Sequence, residues 1–246
     1  MRVDVCFTTD ELVCVDLQNA HVIMVDVLRA STTMVAALSA GASGIWPVST
    51  PGEARKLREE RDVLIGGERH GLALEGFDLG NSPDEYTRQA VGDPWIALTT
   101  TNGTRALLTA AAAATLWVGC FNNLASIVEG IEYCSPDTLV ISCAGTEGGT
   151  RVAAEDVLFA GMLLDHLDVD EARQTDGARL ARDFSRMQQG SLSGTMQTFR
   201  SGAMLQEIGL GRDIERAGQL NCCSVIPHCQ STGLSWPLST ITLWER

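Results

Sequence analysis

Short apolar runs alternate with stretches of helical period along most of the chain. Residues 3–7 alternate and read as a first strand, and residues 12–17 as a second, at a sheet edge. Residues 22–25 are continuously apolar, the pattern of a strand covered on both faces. A helix follows over residues 30–40 and stops at Gly41 and Gly44. Residues 45–48 form a strand. Thr50 and Pro51 open a helix reaching residue 61, with Ala54 and Leu57 inward and its charges in solvent. Further strands are predicted at 63–65, 95–98, 116–119 and 138–142, with helices at 84–90, from 103 to about 114, at 122–133 and at 154–167. After residue 167 the text turns helical, at 176–189, 195–208 and 213–217, and late strands at 224–226 and 239–243 return to the sheet.

Alternating strand and helix argue for an α/β protein. The expected fold is a three-layer α/β/α arrangement with a mostly parallel or mixed central sheet and a helical C-terminal segment. No repeat or low-complexity linker divides the 246 residues, so the chain reads as one domain, with residues 167–210 as a cap or subdomain.

The chain is 45% hydrophobic and 20% charged, ordinary for a globular protein. Its 18 Lys and Arg against 31 Asp and Glu give a net charge of −13. That opposes a broad nucleic-acid footprint and leaves room for a small anion in a local basic pocket. No charged segment precedes an apolar one at the N-terminus, and no stretch reads as a membrane span. Eight cysteines without a CxxC pair point to free thiols in a reducing cytosol, and a cytoplasmic location is expected. The pattern leaves oligomeric state open; the Ala-rich helix after Ala106 could face the core or a second copy.

Asp26 and Arg29 stand where the strand 22–25 gives way to a helix. A buried Asp needs a partner, because desolvating its charge is costly. A local Asp–Arg ion pair and a ligand site both satisfy that need. Three more strand ends carry unusual residues: Glu68 and Arg69, the run from Thr99 to Arg105, and the run from Cys143 to Asp156. In a parallel sheet these ends share one edge and converge on a cleft. The run Thr99–Arg105 reads as an anion seat, with Thr100, Thr101 or Asn102 before a helix, Gly103 and Thr104 in its first turn, and Arg105 as a bidentate partner. The acidic set is Asp26, Glu68, Asp78, Glu155 and Asp156. Asp26, Glu68 and Asp156 suit a hard cation such as Mg2+, which takes one or two carboxylates plus water and phosphate oxygens. His70 is expected outside any ligand set.

Two phosphatase templates fail. Seven residues separate Cys143 from Arg151, where a cysteine-phosphatase loop has five. Leu28 stands where an aspartyl-phosphate phosphatase needs a second Asp. No dinucleotide or P-loop glycine pattern is present.

Taken together, DVLRAST, GGERHG, GFDLGNSP, TTTNGTRAL and CAGT with a following Glu155–Asp156 resemble the 2-phosphosulfolactate phosphatase (ComB-like) family, with weaker likeness at Ser201–Gly202, Asp213–Ile214 and residues 225–227. The resemblance implies a magnesium-dependent hydrolase that frees phosphate from 2-phospho-3-sulfolactate in coenzyme M synthesis, on a fold of its own. It places Asp26, Arg29, Glu68, Arg69, Asn81, Asn102, Arg105 and Asp156 at signature polar positions. The expected roles are catalysis by Asp26, Arg29 and Glu155. Substrate binding is expected from Arg69, Asn81, Thr100, Asn102, Gly103, Thr104, Arg105 and Thr146, and metal binding from Asp26, Glu68 and Asp156. A different small phosphorylated hydroxy acid, or binding of such a metabolite without turnover, are the alternatives.

Overall fold

The structure, a computed structural model, describes residues 1–231 and 239–245. The chain runs β1 (Arg2–Cys6), α1 (Thr9–Leu12), β2 (His21–Val25), α2 (Ala30–Ser39), β3 (Gly44–Pro47), α3 (Pro51–Glu60), β4 (Val63–Arg69) and β5 (Leu72–Ala73). It continues with α4 (Arg88–Val91), β6 (Trp95–Thr99), α5 (Gly103–Thr109), β7 (Thr115–Gly119), α6 (Leu124–Cys134), β8 (Thr138–Cys143) and α7 (Ala154–His166). The last elements are α8 (Asp176–Met187), α9 (Leu192–Gln197), α10 (Arg200–Glu207), α11 (Gly211–Ala217), β9 (Pro227–Ser231) and β10 (Ser239–Leu243).

The strands form one mixed sheet in the order β1-β8-β2-β7-β9-β10-β3-β6-β4-β5. Helices cover both faces, giving the three-layer α/β/α fold. Ile23 and Val25 of β2 pack with Phe159 and Leu163 of α7 on one side. Val22 and Met24 pack with Met34 and Leu38 of α2 on the other, which is why this strand reads as an unbroken apolar run. A third cluster joins Ala54 and Leu57 of α3 to Val63 and Ile65 of β4. The C-terminal helices are tied into the first core through Ala178, Met196, Leu205 and Ile214.

The sheet corrects the expectation of one shared parallel edge. β1, β8, β2 and β7 are parallel, and so are β3, β6 and β4. Three antiparallel steps, β7 to β9, β9 to β10 and β10 to β3, join the groups, so the two run in opposite senses. Contacts made by loops bring their ends together: Gly148 N–H donates to Asn102 Oδ1 (2.8 Å), and the Thr33 hydroxyl of α2 to the carbonyl of loop residue Asn81 (2.8 Å).

Several local expectations change for identifiable reasons. Residues 12–17 form no strand, because Thr8 caps α1 by accepting from Glu11 N–H and Glu11 accepts from Phe7 N–H. Residues 195–208 split into α9 and α10; Gly202, lacking a side chain, lets α10 pack against the Met196 carbonyl. Residues 84–90 become a 3-10 turn and α4, the latter started by a Thr87 cap. The strand expected at 224–226 begins instead at Pro227, because Cys223 N–H is spent on the Asn122 carbonyl. β4 is longer than expected and carries Glu68 and Arg69 within it. His70 and Gly71, at φ 55° and 81°, close a two-residue hairpin to β5.

Candidate active site

Asp26, Arg29, Glu68, Asn81, Thr100, Asn102, Thr146, Glu155 and Asp156 all line one cavity of about 440 Å³. Nine of the expected site residues, from five parts of the chain, are thus brought together.

Asp26 ends β2 and is buried. Its Oδ1 accepts from Ala30 N–H (3.2 Å), and its own N–H donates to the Ser31 hydroxyl (2.7 Å). Asp156 sits in the first turn of α7 and accepts from Val27 N–H (2.8 Å) and Gly145 N–H (3.2 Å). It thereby clips the loop after β2 to the loop after β8. Glu68 accepts from Gly71 N–H (2.8 Å) through Oε2, and from Thr101 N–H (2.8 Å) and hydroxyl (2.9 Å) through Oε1.

Burial first, then the neighbouring carboxylates, pushes the Asp26 carboxyl up to about 7 from an ordinary 3.8, against the pull of the Ala30 amide and Arg29. Burial, then Asp26 and Glu155, raises Asp156 well above the usual range. Glu155 is raised by burial, with Ser201 opposing. Its Oε2 is buried without a hydrogen-bond partner, as is Asn81 Oδ1.

Arg29 is buried in the cavity wall but does not pair with Asp26. Its guanidinium donates to Asp213 of α11 (2.6 Å) and to the Gly71 carbonyl (2.6 Å). Asp213 also accepts from the Ser82 hydroxyl (2.5 Å). This replaces the local Asp–Arg ion pair considered from sequence.

Four expected binding residues do not reach this cavity wall. Glu68 and Arg69 are successive strand residues, so their side chains leave opposite faces. Arg69 accordingly donates to the Ser49 carbonyl and Thr99 hydroxyl, and it lines an adjoining groove with Arg105. Arg105 pairs with Asp10 (2.7 Å) and bonds the Gly148 carbonyl. Thr104 is buried in reciprocal bonds with Thr100, which supplies the cap expected of Thr101 or Asn102. Gly103 gives room: a Cβ there would lie 2.8 Å from Asp26 Oδ2. The anion seat is thus partly filled from within, its Thr101 amide by Glu68. Asp78 lies outside the cavity, accepting from Ile65 N–H (2.9 Å) and pairing with Arg58.

Arg200 and Met204 line the cavity without having been expected there, and so do His70, expected outside any ligand set, and Ser201 of the weak likeness. Asp213 had one sequence signal, the weak family likeness at Asp213–Ile214; nothing in the sequence pairs it with residue 29. Among the described residues no three His, Cys, Asp or Glu side chains form a ready metal cage. Mg2+ needs none, since it usually keeps several waters and takes one or two carboxylates. Mutually repelling buried carboxylates with an orphaned oxygen fit a hard cation of this kind.

An α/β scaffold with such a cavity belongs, on comparison with known proteins, to the phosphoric monoester hydrolases. The chain is a member of the 2-phosphosulpholactate phosphatase family, whose model matches residues 6–232. It is 38% identical to a probable 2-phosphosulfolactate phosphatase of Pseudothermotoga lettingae, over 86% of this chain and 90% of that one. Proteins of the same description from Carboxydothermus hydrogenoformans (34%, covering 93% of each chain) and Clostridium acetobutylicum (29%, covering 93% of this chain and 97% of that one) match along nearly their full lengths. Among the described residues no helix is long and apolar enough to cross a membrane.

Proposed function

We propose that this enzyme is a magnesium-dependent phosphatase acting on 2-phosphosulfolactate, releasing phosphate and 3-sulfolactate. One observation carries the reading. Four buried carboxylates, of Asp26, Glu68, Glu155 and Asp156, surround one cavity whose buried guanidinium is already neutralised by Asp213. Such an excess of negative charge calls for protons or a cation.

One or two of the carboxylates of Asp26, Glu68 and Asp156 would hold the ion, with water and phosphate oxygens completing its shell. When bound, Mg2+ supplies Lewis-acid polarisation of a phosphoryl oxygen and a water of lowered pKa. Arg29, fixed by Asp213 and Gly71, sets positive charge beside the transferring group. Glu155, its carboxyl raised by burial and unpartnered at Oε2, would serve as the general acid for the leaving alkoxide. The Asn81 amide oxygen, also unpartnered, would accept from a water held beside the ester.

A phosphate-release screen over phosphorylated hydroxy acids, with and without Mg2+, tests this. Sulfonate-bearing esters are expected to turn over fastest and only with the metal. Saturable ester binding without phosphate release under any divalent metal would instead establish a metabolite-binding role.

A further inference from the structure

Among the described residues two guanidiniums line the cavity, those of Arg29 and Arg200, and they differ in kind. Arg29 is 4% exposed and committed to Asp213. Arg200, the first residue of α10, is 76% exposed and pairs across the cavity with Glu147 (2.9 Å), which follows Gly145 and Thr146 in the loop after β8. We infer that Arg200 is a specificity residue: it leaves Glu147 to bind the acid group of the substrate that lies remote from phosphorus.

The inference rests on the phosphatase reading and deepens it. A second anionic group on the ester finds no partner on the inner wall, which carries the buried carboxylates of Asp26, Glu68, Glu155 and Asp156 and whose Arg29 is held by Asp213. Arg200 is available, because an exposed ion pair contributes little and is easily exchanged. The exchange also strands no charge, since Glu147 keeps Arg151 at 2.7 Å. The N-terminal turn of α10 adds to the attraction. Phe199 offers no side-chain cap and no acidic residue lies in the first turn, so its free amides favour an anion beside Arg200. Ser201, next in that turn, also lines the cavity. The ligand class is therefore a phosphate monoester bearing a carboxylate or sulfonate a few bonds from the phosphorus.

The test compares kcat/KM for an acid-tailed ester, 2-phosphosulfolactate, with that for a neutral-tailed one, isopropyl phosphate. In Arg200→Gln the ratio of the two is expected to fall about ten- to a hundredfold, mainly through KM of the acid-tailed ester. Arg200→Lys should restore part of it. Arg186→Gln, which removes an equal charge from an exposed pair with Asp165 outside the cavity lining, should leave the ratio alone. An unchanged ratio in Arg200→Gln, or an equal fall in Arg186→Gln, overturns the assignment. Calorimetric titration with 3-sulfolactate separates this from failure of the phosphatase reading. If no ester is hydrolysed, that reading fails. A roughly tenfold weaker 3-sulfolactate affinity in Arg200→Gln still supports the role of Arg200, and an unchanged affinity overturns it.

Discussion

Arg29 and Asp213 stand 184 positions apart in the chain and 2.6 Å apart in space, both almost wholly buried. The pair fastens a C-terminal helix to the loop after β2, and Ser82 and Gly71 join it from two other loops. Removing one partner of such a pair leaves an uncompensated buried charge. Asp213→Ala is expected to cost about 3–5 kcal/mol in urea unfolding. Asp213→Asn, which keeps the shape and can still accept from Ser82, should cost less yet still lower kcat as Arg29 loses its fixed orientation. Wild-type stability and turnover in both variants would show the pair to be incidental.

Gly103 tests how tightly the carboxylate of Asp26 is confined. A methyl group there meets Ala30 Cβ and Asp26 Oδ2, at 2.5 and 2.8 Å. Gly103→Ala is expected to destabilise by about 1–3 kcal/mol, as overpacking does, and to lower kcat about tenfold or more by displacing Asp26. Thermal melts and phosphate release on the same preparation measure both.

The raised carboxyl of Asp26 carries a signed pH dependence. Between its unfolded value near 3.8 and its native value of about 7, the native chain keeps a proton that the unfolded chain releases. The stability it contributes is present at low pH and lost as pH rises through 7. Without metal, Tm should be higher at about pH 5.5 than at about pH 8, by a margin that Asp26→Asn reduces. Millimolar Mg2+ at the higher pH should raise Tm, the result expected of the proposed metal site if it forms only in the native chain. A larger margin in Asp26→Asn than in the wild type would refute the sign.

Arg69 and Arg105 were expected to grip the substrate, and their positions separate them from Arg29. Arg105 is half-exposed in an ion pair with Asp10, and Arg69 faces the adjoining groove. Arg105→Ala and Arg69→Ala should change kcat/KM by less than about tenfold, while Arg29→Ala should cost about a hundredfold or more. Steady-state kinetics on the three variants decides the order.

The apolar periodicities made most strands and helices legible, because β2, β7 and β8 are buried on both faces and α2 is buried along nine of its ten residues. Asp26, Glu155 and Asp156 were legible because a carboxylate beside an apolar run needs a partner. The sense of β3, β6 and β4 was not, since it is set by the late β9–β10 hairpin that separates the two parallel groups. Reading GGERHG as a loop hid the strand alternation that parts Glu68 from Arg69. The Arg29–Asp213 pairing and Arg200 escaped for a related reason: pairings between distant helices and loops leave no periodic trace in either segment.

The most direct measurement is Mg2+-dependent phosphate release from 2-phosphosulfolactate by the wild type and by Asp26→Asn, side by side. Metal-dependent turnover in the wild type and a fall of about a hundredfold or more in the variant is the expected result. Undiminished metal-dependent turnover in Asp26→Asn would contradict the placing of the chemistry at this cluster of carboxylates.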